Sequence, residues 1–316
     1  MSQVVVTGSQ GFIAQVLIRR LLRDGLGGEP VDRITAVDLA FEAGADEDAR
    51  LHRVAGSVHD PAVQSEALKS VPDLVFHLSS VPGGAAERDP DLGRKVNLDA
   101  TLSLLDNCRA LPRPPRFIYA SSVAVYGEHL PAQMTEDTPA APALTYGAHK
   151  LACEVLIADA SRRGWVNGCS LRLPGVVARP GDGDGLMSSF MSQLFWRLAR
   201  GEAITLPVSP KATCWWMSVG TCVDNLMHVA TMDSRSWNAQ RSYQMPVLHL
   251  SIEEVVAALS RILGRSVADL VHYQPNPLIE RLFGSSPPLL APLAASIGLR
   301  HDGDISRLTA RAMSHE

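Results

Sequence analysis

Gln3-Val4-Val5-Val6-Thr7-Gly8-Ser9-Gln10-Gly11-Phe12-Ile13-Ala14, near the start of the chain, decides the fold. The β-branched run at 3–7 has the unbroken apolar character of a strand buried on both faces. Residues 12–22 then repeat apolar side chains at helical spacing, and Gly25 stops the run. Between strand and helix stand Gly8 and Gly11, with small Ala14 just inside the helix. In that context Gly8 permits a tight turn, Gly11 lets backbone approach a pyrophosphate, and Ala14 allows close helix–strand packing. The helix start offers its N–H groups and dipole to the phosphates. A glycine turn with no ligand is the plainer alternative, and the next strand argues against it. Stretch 33–39 carries Asp38 near its end, where a carboxylate meets the hydroxyls of an adenosine ribose. Leu39, Ala40 and Phe41 follow, with no arginine for a 2′-phosphate, so the expected cofactor is NAD rather than NADP.

The alternation continues. Stretches 73–80, 116–122 and 168–173 read as strands, while 96–109 and 146–163 repeat apolar residues at helical spacing. Strands alternating with helices of these lengths imply right-handed crossovers and a parallel sheet covered on both faces. The expected fold is α/β, a doubly wound parallel Rossmann sheet with a small mixed α/β carboxy-terminal substrate lobe. Past residue 174 the pattern loosens. Pro180-Gly181-Asp182-Gly183-Asp184-Gly185 is a loop, Ser286-Pro287-Pro288 a second break, and 252–263 a helix among shorter elements. Residues 1–174 are therefore expected to bind the dinucleotide and 175–316 to form the substrate lobe, interleaved with a late Rossmann strand.

The 316 residues are 46% hydrophobic and 20% charged, enough for one large core or a large domain with an appendage. A formal charge of −4 gives no electrostatic footprint for nucleic acid, which calls for a basic face. Cys108, Cys153, Cys169, Cys214 and Cys222 form no Cys-x-x-Cys pair and read as reduced thiols. The amino terminus enters an apolar strand at once, and no apolar run reaches membrane-spanning length. A cytoplasmic protein with no membrane partner is expected. No internal repeat or low-complexity tract interrupts it.

Tyr146 stands four residues before Lys150 in Leu144-Thr145-Tyr146-Gly147-Ala148-His149-Lys150. On a helix, i and i+4 share a face, so the ammonium lies beside the phenol. A nearby cation favours phenolate. Such a phenol can take a proton from an alcohol or return one to a carbonyl. The spacing alone arises by chance in many helices. Ser122 ends a strand at the edge where open parallel sheets place their ligands, and its hydroxyl could bond a reacting oxygen. By itself it is an ordinary strand-end serine.

Taken together, the motifs resemble a known family. Thr7-Gly8-x-x-Gly11-x-x-Ala14, Asp38, Ser121-Ser122-Val123-Ala124-Val125-Tyr126-Gly127, Tyr146-x-x-x-Lys150 and Leu171-Arg172-Leu173-Pro174 follow the order and spacing of extended short-chain dehydrogenase/reductases. That group includes NAD-dependent epimerases and dehydratases, and the likeness covers essentially the whole chain. It implies that Tyr146 is the general base, that Lys150 favours the phenolate and holds the nicotinamide ribose, and that Ser122 orients the substrate oxygen while hydride passes to NAD. It also implies cofactor contacts from Gly8, Gln10, Gly11, Phe12 and Ile13 in the glycine loop, from Asp38 at the ribose, and from Ser57 and Val58 at the adenine. Leu78, Ser79, Ser80, Asn97, Tyr146, Lys150 and Pro174 complete that set. Ser80, Ser122, Tyr146, Gly175 and Arg179 are the implied substrate contacts, and no metal is implied. Two departures stand out. Ala14 replaces the third glycine, and Ser57 stands where relatives carry an aspartate facing adenine. Asn97 matches a helix asparagine that is structural and water-binding in relatives; a local cap or turn contact is the alternative.

Nucleotide-sugar epimerases clamp a diphosphate with an arginine in a late strand, and Ala212-Thr213-Cys214-Trp215-Trp216-Met217-Ser218 has none. A nearer likeness is to the D-erythronate dehydrogenase branch, through His77-Leu78-Ser79-Ser80, Gly84-Ala85-Ala86-Glu87, Val96-Asn97-Leu98-Asp99, Arg179-Pro180-Gly181 and Ile279-Glu280-Arg281. That branch implies oxidation of the C2 hydroxyl of a four-carbon sugar acid, with Arg179 or Lys211 as the cation for its carboxylate. Trp215 and Trp216 are expected to wall a compact pocket, whereas Cys214 stands where a basic residue is expected. Alternatives are a nucleotide-sugar epimerase or dehydratase, a reductase of another small carbonyl compound, and a non-catalytic NAD sensor. The last has no need of Ser122, Tyr146 and Lys150 together. His77, His149 and His228 lack metal-ligand spacing, and Asp182 with Asp184 reads as a solvated turn rather than a calcium site. Helices 97–110 and 147–163 carry apolar faces that relatives use to form a homodimer; the same faces could pack within one subunit.

Overall fold

The computed structural model describes residues 2–41, 48–181 and 186–314. Asp182 and Asp184 lie outside the described residues. In chain order the first elements are β1 (Ser2–Thr7), α1 (Phe12–Asp24), β2 (Val31–Asp38), β3 (Leu51–Ala55), α2 (Pro61–Leu68) and β4 (Leu74–His77). There follow α3 (Gly83–Arg88), α4 (Pro90–Arg94), a π-helical turn (Lys95–Asp99), α5 (Ala100–Arg109), β5 (Arg116–Ser122), α6 (Thr145–Arg162) and β6 (Asn167–Leu173). The later chain supplies β7 (Gly175–Val177), α7 (Phe190–Arg200), β8 (Ile204–Leu206), β9 (Thr213–Ser218), α8 (Val219–Thr231) and β10 (Ser242–Gln244). It ends with β11 (Leu248–Ser251), α9 (Ile252–Ile262), β12 (Val271–Tyr273), α10 (Pro277–Phe283), α11 (Pro292–Ser296) and α12 (Ile305–Ser314). These pack as two compact units: Met1–Ser122, Leu144–Arg172 and Asn225–Tyr243 make the first, Val123–Ala143, Leu173–Asp224 and Gln244–Glu316 the second.

A seven-stranded sheet, ordered β10-β6-β5-β4-β1-β2-β3, organises the first unit. β1 runs parallel to β2 and β4, β2 to β3, and β4 to β5. The strand order reverses between β1 and β4, which makes their carboxyl ends the topological switch point of a doubly wound Rossmann sheet. The expected α/β fold is present. Val4, Val5 and Val6 are almost fully buried, as a strand covered on both faces requires. One core layer joins Val5, Val75, Phe117 and Tyr119 of the sheet to Leu104 and Leu105 of α5 and Ile157 of α6. β4 is shorter than the stretch 73–80. It stops at His77, whose partner Thr7 is the last residue of β1, so Leu78, Ser79 and Ser80 leave the sheet at the switch point. The helix expected over 96–109 opens instead with the π-helical turn, a feature that gathers at functional sites.

The second unit is a mixed α/β lobe. β9 lies between antiparallel β11 and parallel β7, and β12 pairs with β8. α7, α9 and α12 cover a core built on Trp216, Phe195, Leu194, Leu259 and Leu308. A capping box starts α9: Ser251 Oγ accepts the Glu254 N–H, and the Glu254 carboxylate accepts the Ser251 N–H. Among the described residues no helix is long and apolar enough to cross a membrane, and no group of side chains has the makings of a metal site. All five cysteines are free and buried.

Candidate active site

The glycine loop is held open from below. Gly8 has φ +68°, and a Cβ there would stand 2.8 Å from Ser79 Cα and N, so only glycine lets the β1 and β4 loop backbones come this close. The Gly11 N–H donates to Gly8 O (2.9 Å), which closes the turn. Asp38, at the end of β2, accepts the Gln10 N–H (2.8 Å) and the Leu39 N–H (2.7 Å). Its carboxylate thus fixes the loop and keeps lone pairs for ribose hydroxyls. No side chain caps α1, whose first turn begins at Phe12 directly after the loop. Ser9 Oγ is buried and has no hydrogen-bond partner. A close-approach glycine, an uncapped helix start and an orphaned hydroxyl are the features a pyrophosphate would satisfy. On these observations the loop fits a dinucleotide.

Beside it, α6 carries Tyr146 and Lys150 one turn apart. Lys150 is 1% exposed; its ammonium donates to Ala120 O of β5 (2.6 Å) and stands 4.6 Å from the Tyr119 ring centre and 5.5 Å from that of Tyr146. A buried cation against two ring faces is an attractive arrangement, and an ammonium has three donors, more than Ala120 alone uses. Ser122 ends β5 two residues after Ala120. Strand alternation turns its side chain away from that of Ser121, whose hydroxyl donates to Glu154. Ser122, Tyr146 and Lys150 therefore belong to one unit, at the carboxyl edge of its sheet.

His77 lies beneath this edge. Thr101 Oγ1 donates to Asn97 O (3.1 Å), so it accepts from His77 Nε2–H (3.0 Å), and Thr7 Oγ1 donates to His77 Nδ1 (2.7 Å). Burial, reinforced by the Lys150 charge, pushes the His77 pKa down to about 3, so the ring is neutral. Asn97, in the π-helical turn, accepts the Val81 N–H (2.7 Å) and donates to Val81 O (3.0 Å). Its amide braces the loop that follows β4. Burial raises the Tyr119 pKa well above the usual tyrosine value, keeping that hydroxyl protonated.

Sequence reasoning missed Glu154, one turn beyond Lys150. Its buried carboxylate accepts from Ser121 Oγ, Ser242 Oγ (3.0 Å) and the Arg172 guanidinium (2.7 Å from Nη2). One acid thereby ties α6 to β5, β6 and β10. The i+4 spacing from Lys150 was the available signal; its partners, 18 to 88 residues away, were invisible. Other expected residues are placed as follows. Ser57 Oγ is paired with His59 Nδ1 (2.5 Å), and Val58 is buried. Pro174, Gly175 and Arg179 belong to the second unit, where Arg179 O accepts the Trp196 indole N–H (2.8 Å). Lys211 is exposed in the turn before β9. Cys214, where a clamping cation would stand, is a buried thiol donating to Phe283 O (3.0 Å), its pKa raised by burial. Trp216 does not wall a pocket. It is fully buried in the lobe core, while Trp215, on the opposite face of the strand, donates to Pro287 O (2.7 Å).

Residues 4–242 match the model of the NAD dependent epimerase/dehydratase family. The chain belongs to that family and is an NAD-dependent oxidoreductase, as the extended short-chain dehydrogenase/reductase motifs imply. Among curated proteins it is 37% identical to D-erythronate dehydrogenase of Cupriavidus necator over 311 residues, 96% of each chain. It is 29% identical to D-erythronate dehydrogenase of Haemophilus influenzae over 99% of each. Among solved structures, a nucleoside-diphosphate-sugar epimerase from Agrobacterium tumefaciens superposes with a TM-score of 0.90 at 30% identity, covering 98% of this chain and 92% of that one.

Proposed function

We propose that this enzyme oxidises the C2 hydroxyl of a small sugar acid of the D-erythronate type. The observation that carries the chemistry is the buried Lys150 ammonium, held by Ala120 O at the end of β5 and facing the Tyr146 ring. When bound, NAD supplies the hydride acceptor. Tyr146 Oη takes the proton from the secondary hydroxyl as the carbonyl forms. Lys150 stabilises the phenolate and donates to the nicotinamide ribose, and Ser122 Oγ donates to the substrate oxygen and fixes its direction. Gly8, Gln10, Gly11, Phe12 and Ile13 receive the pyrophosphate, and Asp38 the adenosine ribose. Ser57 and Val58 would meet the adenine, and Leu78, Ser79, Ser80 and Asn97 would line the rest of the cofactor. Residues 1–174 thus bind NAD, and residues 175–316 form the substrate lobe. The D-erythronate dehydrogenases similar over almost the full length support the sugar-acid class.

The likeness to a nucleoside-diphosphate-sugar epimerase favours a second reading, a nucleotide-sugar substrate. Cys214 weighs against it, because a buried thiol bonded to Phe283 O cannot replace a bidentate guanidinium on a diphosphate. Purified enzyme with NAD and a panel of four- and five-carbon sugar acids and UDP-sugars separates the two. NADH formation with a C2-hydroxy acid is expected. Turnover of UDP-sugars with no NADH from any acid overturns the assignment.

A further inference from the structure

α6 starts without a cap of its own. Its N-cap position is Leu144, in the extended conformation a capping side chain needs (φ −126°, ψ 148°), yet leucine has no acceptor and the first turn holds no acid. The N–H of Thr145, the residue immediately before Tyr146, is bonded instead by a residue 58 positions earlier. Glu87 Oε1, on α3, accepts it at 2.5 Å. α3 is a firm base for that arm. Ala86 is fully buried, and a Cβ on Gly93 of α4 would fall 2.9 Å from the Ala86 Cβ, so the two short helices are in close contact. α3 also reaches Tyr146 itself, since a Cβ on Gly83 would lie 3.8 Å from the Tyr146 Cβ. Gly83, three residues after Ser80, is the first residue of α3, where the loop that leaves the switch point ends.

We propose that Glu87 is a positioning residue for Tyr146: by capping the catalytic helix from α3 it sets the first turn of α6, and with it the phenol, against the loop that follows β4. A carboxylate at a helix start satisfies an orphan N–H and complements the helix dipole. Here the cap has a second consequence, because the next residue is the proposed base, and a displacement of about 1 Å can cost a hundredfold in rate. The proposal rests on the reading of Tyr146 as the base, and it deepens that reading by naming what holds the base in place.

Three variants test it on the whole protein: Glu87→Ala, Glu87→Gln, and Glu87→Ala combined with Leu144→Ser, which supplies a local cap in a backbone already suited to one. Amide hydrogen exchange at 145–148, kcat with the preferred sugar acid, and NAD affinity by fluorescence titration are measured for each. Glu87→Ala is expected to speed exchange about fivefold, the equivalent of a typical cap, and to lower kcat about tenfold while NAD affinity stays within twofold. Glu87→Gln and the double variant are expected to restore both. Unchanged exchange in Glu87→Ala overturns the cap. Faster exchange with unchanged kcat overturns the positioning role, leaving a structural cap alone. A kcat loss that neither Gln nor the double variant restores also overturns it, because Glu87 would then act on the substrate directly. Tyr146→Phe, run in parallel, tests the base separately. If it turns over normally the reading of Tyr146 fails, and the exchange rates still decide whether Glu87 caps α6.

Discussion

A phenol, an ammonium and a strand-end hydroxyl carry the proposed chemistry, and their roles separate under substitution. Removing the Tyr146 hydroxyl deletes the proton acceptor but leaves the ring over Lys150 and the glycine loop intact. Tyr146→Phe is expected to lower kcat by a factor on the order of a thousand, within the range of general base contributions, with NAD affinity within twofold; comparable turnover would remove Tyr146 from the mechanism. Asp38 makes a different prediction. Its carboxylate holds the Gln10 and Leu39 N–H groups, and in the proposed reading it faces the adenosine ribose, where a 2′-phosphate would meet its negative charge. Asp38→Asn should weaken NAD by roughly tenfold to a hundredfold, the loss of one or two hydrogen bonds to a charged group, and narrow the preference for NAD over NADP. Titrating both cofactors checks it, and an unchanged ratio places Asp38 in loop stability alone.

Among the elements, α6 has an outward side as well as a catalytic one. Ala148 and Val155 are exposed at i and i+7, Leu151 and Ala152 lie half-buried between them, and Val155 is 64% exposed. An apolar stripe at that spacing suits a helix partner from a second copy, and we propose a homodimer through 97–110 and 147–163. Val155→Arg is expected to halve the mass measured by sedimentation, and an unchanged mass refutes the interface. The same helix shows what sequence could disclose. Tyr146, Lys150 and the helical period were legible because they are local, as were the glycines between β1 and α1. The carboxylates that fix them were not. Glu154 finds its role only when Ser121, Arg172 and Ser242 converge on it, and Glu87 only when α3 reaches the start of α6. The π-helical turn at Lys95–Asp99 was hidden for the same reason, since Asn97 bonds across to the backbone of Val81. β10, three residues long, offers no periodicity to read. The adjacent tryptophans misled because strand neighbours face opposite ways, so Trp216 fills the lobe core while Trp215 does not.

At the scale of the whole molecule, the buried imidazole of His77 links stability to acid. In the native state its pKa is pushed down to about 3 by burial and by the Lys150 charge, while in the unfolded chain it returns to about 6.5. Between those values the unfolded state binds a proton that the native state refuses, so stability falls as pH drops. Each pH unit below about 6.5 costs up to about 1.4 kcal/mol from this residue. Above that window the ring is neutral in both states and the contribution is flat. His77→Gln keeps a donor and an acceptor but has no titrating group. At neutral pH it should be destabilised by about 1–3 kcal/mol through poorer bonding to Thr7 and Thr101. Urea unfolding at steps from pH 7.5 to 4.5 should show the two proteins converging, and the variant overtaking the parent toward the acid end. Parallel curves across the whole range would mean that His77 titrates alike in both states. The buried base that bridges Thr7 and Thr101 of α5 would then carry none of the enzyme's acid sensitivity.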